Sequence, residues 1–172
     1  MKKIVSAILL LAAFTSSTFV FAQAEDKSKR PSPPAVVKTS NNGLDITIDY
    51  SQPAVKGRTI GTDIAPYGEV WRTGANEATT FTVNKDVKIE GKDLKAGTYA
   101  LFTIPGKDKW TLIFNKQAKQ WGAFKYDEKQ DALRVDVTPK KAPAFTERMA
   151  FASNPGQVSL MWGDTEVDFS VK

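Results

Sequence analysis

The chain has 172 residues, a formal net charge of +5, and neither cysteine nor histidine. That excludes disulfides, Ser-His-Asp and Cys-His nucleophile systems, a histidine general base and an ordinary zinc site. Any catalysis falls to carboxylates, lysine, tyrosine or serine, any metal would be a hard cation on oxygen ligands, and nothing calls for a metal or a cofactor.

Met1-Lys2-Lys3 precedes an apolar run from Ile4 to Phe14, and Ala22-Gln23-Ala24 follows. A basic start, a short apolar stretch and an A-x-A site predict a secretory signal peptide over residues 1–24, with cleavage after Ala22 or Ala24. This eleven-residue run is too short to span a bilayer, so no stable membrane insertion is expected. No cysteine stands at the cleavage site to carry a lipid. The expectation is a periplasmic or extracellular protein that is not lipid-anchored. Loss of Lys2 and Lys3 leaves 22 basic against 19 acidic residues. That is a mixed surface and not a nucleic-acid footprint.

Residues 25–42, "EDKSKRPSPPAVVKTSNN", are rich in proline, lysine and serine and read as an extended or disordered linker. Residues 43–172 then form one domain of a length that suits a single core. "LDITIDY" sets Leu44, Ile46, Ile48 and Tyr50 against Asp45, Thr47 and Asp49, the period-two pattern of a half-buried strand. "ATTFTV", "DVKIEG", "KWTLIFN", "ALRVDV", "RMAFA", "QVSLMW" and "EVDFSV" alternate likewise. "GTYALFTIPG" is apolar on both faces, as a central strand would be. Turns fall at Pro105-Gly106-Lys107-Asp108, Asn154-Pro155-Gly156 and Gly163-Asp164, the last a hairpin signal. The polar stretch "NKQAKQWGAFKYDEKQD" reads as a long loop with one helical turn. About nine short strands predict an all-β fold, an antiparallel β-sandwich or jelly-roll-like barrel.

Three stretches carry candidate site residues. In "PYGEVWRTGANEATT", Trp71 is expected to pack inward, which points its neighbour Arg72 outward. Arg72 either pairs with Glu69, Glu77 or Asp63, or clamps a carboxylate, phosphate or sugar hydroxyls. Gly74 and Asn76 shape a tight turn, Glu77 is read first as hydrogen-bonded to the loop, and Tyr67 stands at its start. In "YSQPAVKGR", Lys56 and Arg58 are either a solvated turn or cations that converge with Arg72 on a ligand. In "WGAFKYD", Trp121, Phe124 and Tyr126 form either a stacking platform or a lid over one end of the fold, with Lys125 a further candidate ligand contact.

"YSQPAVKGRTI", "PYGEVWRTGANEAT", "LKAGTYALFTIPG", "WTLIFN" and "WGAFKYD", in this order, resemble domain-of-unknown-function family 2911, secreted bacterial proteins. The resemblance covers residues 44–172. One departure is that Gly61-Thr62-Asp63 follows Ile60 directly, where the family carries a longer Phe-Gly-Gly-like insert. The resemblance implies an exported all-β domain and brings no activity with it. Three readings therefore stand. The first is a domain binding a carbohydrate or small polar ligand through Lys56, Arg58, Tyr67, Arg72, Asn76, Glu77, Trp121, Lys125 and Tyr126. The second is a histidine-free hydrolase or lyase using Glu77 or Glu69 with Arg72, Lys56 or Tyr67. The third is an envelope protein without a ligand site, its polar residues locked in internal hydrogen bonds.

Overall fold

The computed structural model describes residues 26–172, and the expected signal peptide lies outside them. Ten strands follow one another: β1 (Pro34–Asn41), β2 (Leu44–Ser51), β3 (Thr80–Val83), β4 (Val87–Ile89), β5 (Lys92–Leu94), β6 (Gly97–Ile104), β7 (Trp110–Asn115), β8 (Asp131–Val137), β9 (Lys140–Asn154) and β10 (Gln157–Ser170). Six of them form one antiparallel sheet in the order β1-β2-β3-β6-β7-β8. The long β9–β10 hairpin faces it. Residues Pro53 to Val55 pair with β9 through the Val55 N–H to Glu147 and Met149 N–H to Pro53 bonds. The β4–β5 hairpin joins the end of β10 through Lys88 and Lys172. The fold is an all-β sandwich.

Alternation explains the layers. Ile46, Ile48 and Tyr50 of β2 are buried while Asp45 and Asp49 are exposed. They meet Phe81, Leu101, Leu112 and Phe114 of the sheet and Met149, Phe151, Leu160 and Phe169 of the hairpin in one core. β6 lies between β3 and β7 and is buried on both faces. Ala100 and Phe102 point away from the main core into a smaller cluster with Ala78 and Ile113, roofed by Val70, Ala123 and Tyr126. The loop of residues 116–130 therefore covers the outer face of the central strands. Its one helical turn is a 3-10 turn at Glu128–Gln130.

Three expectations change. The residues read as a linker are not one throughout: Pro34–Asn41 is an edge strand paired with β2 along its whole length. Asn42 and Gly43, both at positive φ (50° and 74°), make the connecting turn, the combination that a two-residue hairpin of matching twist requires. Proline and Lys38 on this strand suit a sheet edge, where missing donors and charge discourage further pairing. At Gly163-Asp164 there is no hairpin. β10 runs straight through, and its register against β9 shifts on either side of Gly163 (φ +58°). A bulge uses the same left-handed glycine that a turn would, so one long strand replaces two short ones. The remaining addition, β5, is a three-residue strand too short for alternation to reveal.

Trp71 ties the layers together. Its backbone exchanges both hydrogen bonds with Thr103 at the end of β6 (2.8 and 2.9 Å). Its indole stacks on Trp162 of β10, with centroids 5.2 Å apart and planes at 11°, and meets the edge of Trp110 at 6.3 Å. Replacing Trp71 with alanine should cost about 3–5 kcal/mol in urea unfolding, the range for a packed aromatic. A cycle with Trp162→Ala should show a coupling of about 0.5–1.5 kcal/mol, as an aromatic pair gives.

Candidate functional site

Residues 72–79 fold into a tight loop on this tryptophan. Thr73 is fully buried at φ +52°, a costly conformation for a β-branched residue. It is held by its hydroxyl to Thr103 (3.2 Å) and by its carbonyl, which accepts from the Thr79 hydroxyl (2.7 Å). Asn76, at φ +60°, makes the second bend. The loop is zipped to the 116–130 loop by a bridge between Glu77 and Trp121, flanked by the Ala78 N–H to Gln120 and Gly122 N–H to Asn76 bonds (2.9 and 3.0 Å).

Arg72 follows Trp71 at the start of this loop. Among the described residues it pairs with none of its three expected acids: Glu77 is engaged elsewhere, Asp63 accepts from the Thr59 N–H, and Glu69 is exposed. Its Nε is buried and bonded to nothing. Burial pulls the guanidinium below its ordinary pKa. An ideal Cβ placed on Gly122 would lie 3.3 Å from Arg72 Nη1 and 2.9 Å from the Phe124 ring, so guanidinium and ring flank one spot. Phe124 is 84% exposed and Trp121 56%.

Glu77 is not held by the loop backbone alone. Its two oxygens accept from Lys27 Nζ and Arg30 Nη1, both at 2.8 Å. Arg30 lies with its Cζ 5.8 Å from the centre of the Trp121 ring. Burial alone would raise the Glu77 pKa, but Lys27, a backbone donor and Arg30 outweigh it and hold the carboxyl at about 2. The Asn76 side chain donates to the Ser32 carbonyl (3.1 Å) and Ser51 hydroxyl (3.3 Å).

The other predicted residues lie apart. Lys56, at φ +50°, is exposed, and its N–H donates to Glu147. Arg58 turns back on its own loop, donating to the Ala54 and Val55 carbonyls. The two line a cavity of 470 Å³ with Pro31, Ser32 and Ala54, and neither Arg72 nor Glu77 reaches it. Tyr67 packs on Gly61 beside a separate cavity with Trp110, Lys107 and Lys140. Lys125 is exposed. Tyr126 turns inward, its ring edge-on to Phe102 at 5.1 Å and its hydroxyl between Asp131 (2.6 Å) and Arg134. Burial and the Asp131 carboxylate push that phenol up to about 12. Arg72, Asn76, Glu77 and Trp121 thus lie together, while Lys56, Arg58, Tyr67 and the inward-turned Tyr126 do not join them. Sequence reading placed Lys27 and Arg30 in a tail. The signal available for them was a basic residue directly ahead of prolines, which marks a ligand-like extended segment.

Among the described residues no group of three or more acidic, histidine or cysteine side chains is placed to hold a metal ion, and no helix is long and apolar enough to cross a membrane. Residues 32–171 match the family model described as "Protein of unknown function (DUF2911)". No curated protein and no solved structure matches the chain.

Two consequences are measurable. A carboxyl depressed from 4.5 to about 2 adds stability that is complete above pH 4.5 and lost as pH falls toward 2. The melting temperature of Glu77→Gln should therefore lie below wild type at pH 7 and meet it near pH 2. Tyr126→Phe should lose about 1–2 kcal/mol, because the Asp131–Arg134 pair loses its bridging hydroxyl. Hydrogen exchange should then accelerate in residues 116–130 and not in β2 or β6.

Proposed function

The chain belongs to the DUF2911 family, whose description carries no activity, and from its own residues we propose an exported binding domain for a polar ligand, a saccharide bearing a carboxylate. The observation that carries this is the half-buried Arg72 guanidinium, whose buried Nε has no acceptor among the described residues and which sits beside an exposed aromatic ring. A desolvated cation without a partner is costly, so it favours an anionic group that offers two oxygens to its fork. The exposed faces of Phe124 and Trp121 suit the apolar side of a sugar ring. Export is supported by the basic, apolar and A-x-A pattern of residues 1–24.

Binding is favoured over hydrolysis by the state of the acids. A carboxyl at about 2 is no proton donor at neutral pH and a weak base. A phenol at about 12 is no base either. Glu77 therefore anchors cations, and Arg72 is the group that faces a ligand.

A panel of neutral and acidic oligosaccharides, screened by thermal shift and titrated by calorimetry, tests the reading. Acidic members should raise the melting temperature, and their neutral counterparts should not. Arg72→Met should weaken binding about 10- to 100-fold, the worth of one charged hydrogen-bonded contact. Equal affinity for neutral and acidic sugars, or unchanged affinity in Arg72→Met, would rule this ligand class out.

A further inference from the structure

The segment ahead of β1 is docked like a bound peptide. A 3-10 turn at Lys27–Lys29, capped by Asp26, delivers Arg30 at φ −66° and ψ 146°, which is polyproline II geometry. Although it lies near the start of the described chain, the Arg30 side chain is only 12% exposed. Its guanidinium fills a socket with Glu77 at one side and the Trp121 ring at another. Lys27 takes the second Glu77 oxygen.

Past the socket, three successive carbonyls each meet a donor of the domain. Pro31 accepts from Arg148 Nη1 (3.1 Å), Ser32 from Asn76 Nδ2 (3.1 Å) and Pro33 from the Gln52 N–H (2.9 Å). The groove supplies donors, an acid and an aromatic ring. The segment "KRPSPP" supplies cations and carbonyls, and its prolines bring no N–H that would need an acceptor. That is the chemistry by which aromatic-lined grooves select proline-containing extended peptides with a basic anchor. The groove and the two cationic anchors of its occupant fall on different sides of the start of the family match. Gln52, Asn76, Glu77, Trp121 and Arg148 fall within the residues matched by the family model, whereas Lys27 and Arg30 fall before its start. Beside Pro31 and Ser32 the 470 Å³ cavity lined by Lys56 and Arg58 leaves the groove room on one side.

We infer that Glu77, Trp121, Asn76, Arg148 and the Gln52 N–H form a docking groove for an extended polypeptide segment with arginine followed by proline. The chain's own Lys27–Pro33 segment is its occupant in cis, and an Arg-Pro segment of a partner protein competes for the same groove. Arg72 is not part of this groove, so the inference does not rest on the saccharide reading. The cis segment has the advantage of a tethered ligand, whose effective concentration is in the millimolar range for a short connection. Binding in trans is therefore weak until the anchor residues are removed.

A fluorescein-labelled peptide spanning Asp26–Pro34 would be titrated by anisotropy against wild type and against the full chain carrying Lys27→Ala and Arg30→Ala. The doubly substituted chain should bind at least 10-fold more tightly than wild type. Adding Glu77→Gln or Trp121→Ala to it should remove at least 10-fold of that affinity, as should Arg30→Ala in the peptide. Melting curves of each variant confirm folding. Arg72→Met should leave peptide binding unchanged, which separates this groove from the saccharide site. No binding by the folded, vacated chain would overturn the inference and reduce the segment to an intramolecular tether. Binding indifferent to Glu77→Gln, or to loss of the peptide arginine, would overturn it as well.

Discussion

The stack of Trp71 on Trp162 is the contact from which the site takes its position. Residues 66–79 contain no regular strand, and a segment of this kind would ordinarily lie loose over a sheet. Here one indole enters the gap between the six-stranded sheet and the β9–β10 hairpin, and the Trp71 backbone borrows the free end of β6. With Trp71 fixed, alternation turns Arg72 to the other side. The Thr73 and Thr79 hydrogen bonds then set the direction in which the loop departs. Rigid packing beneath a loop is what allows a few polar groups above it to hold a defined geometry.

A second layer of support lies on the outer face of the sheet. Phe102 and Ile113 would be an exposed apolar patch if the 116–130 loop did not cover them with Tyr126 and Ala123. Tyr126 is secured in turn by Asp131 and Arg134 at the start of β8, and Asn115 holds the same Asp131 and the Asp127 carbonyl. The aromatic-rich loop is therefore divided in use. Tyr126 roofs the sheet, while Trp121 and Phe124 remain at the surface beside Glu77 and Arg72. Of the two readings of "WGAFKYD", the lid fits Tyr126 in part, since it roofs the outer face of the sheet and not one end of the fold, while Trp121 and Phe124 are exposed.

Alternation made most of the strands legible, because one buried face per strand leaves its mark at every second residue. It failed where another constraint shared the same residues. β1 carries proline and lysine because it is an edge, and those residues imitate a linker. The Asn42-Gly43 pair that follows is a hairpin signal that the linker reading passes over. Gly163 imitates a hairpin because bulge and turn use the same backbone conformation. In the site, the inward Trp71 and outward Arg72 follow from their adjacency. The partners of Glu77 do not, since Lys27 and Arg30 lie 50 and 47 residues away. No local spacing encodes a contact made by folding the start of the chain back across the sheet.

The loop between Arg72 and Glu77 does not pair its own opposite charges. Five residues apart, a cation and an anion in one surface loop have an easy route to a salt bridge. Two left-handed residues, Thr73 and Asn76, bend the backbone between them instead. Each such bend costs about 1–3 kcal/mol for a residue other than glycine, whereas an exposed ion pair returns about 1 kcal/mol or less. The Thr73 and Thr79 hydrogen bonds and the Glu77 pairs with Lys27 and Arg30 offset that cost. The bends turn Glu77 toward the Arg30 socket and leave Arg72 beside Phe124, its buried Nε unpaired among the described residues. The loop thus keeps its opposite charges apart: Glu77 pairs with Lys27 and Arg30 outside it, and Arg72 pairs with no acid among the described residues.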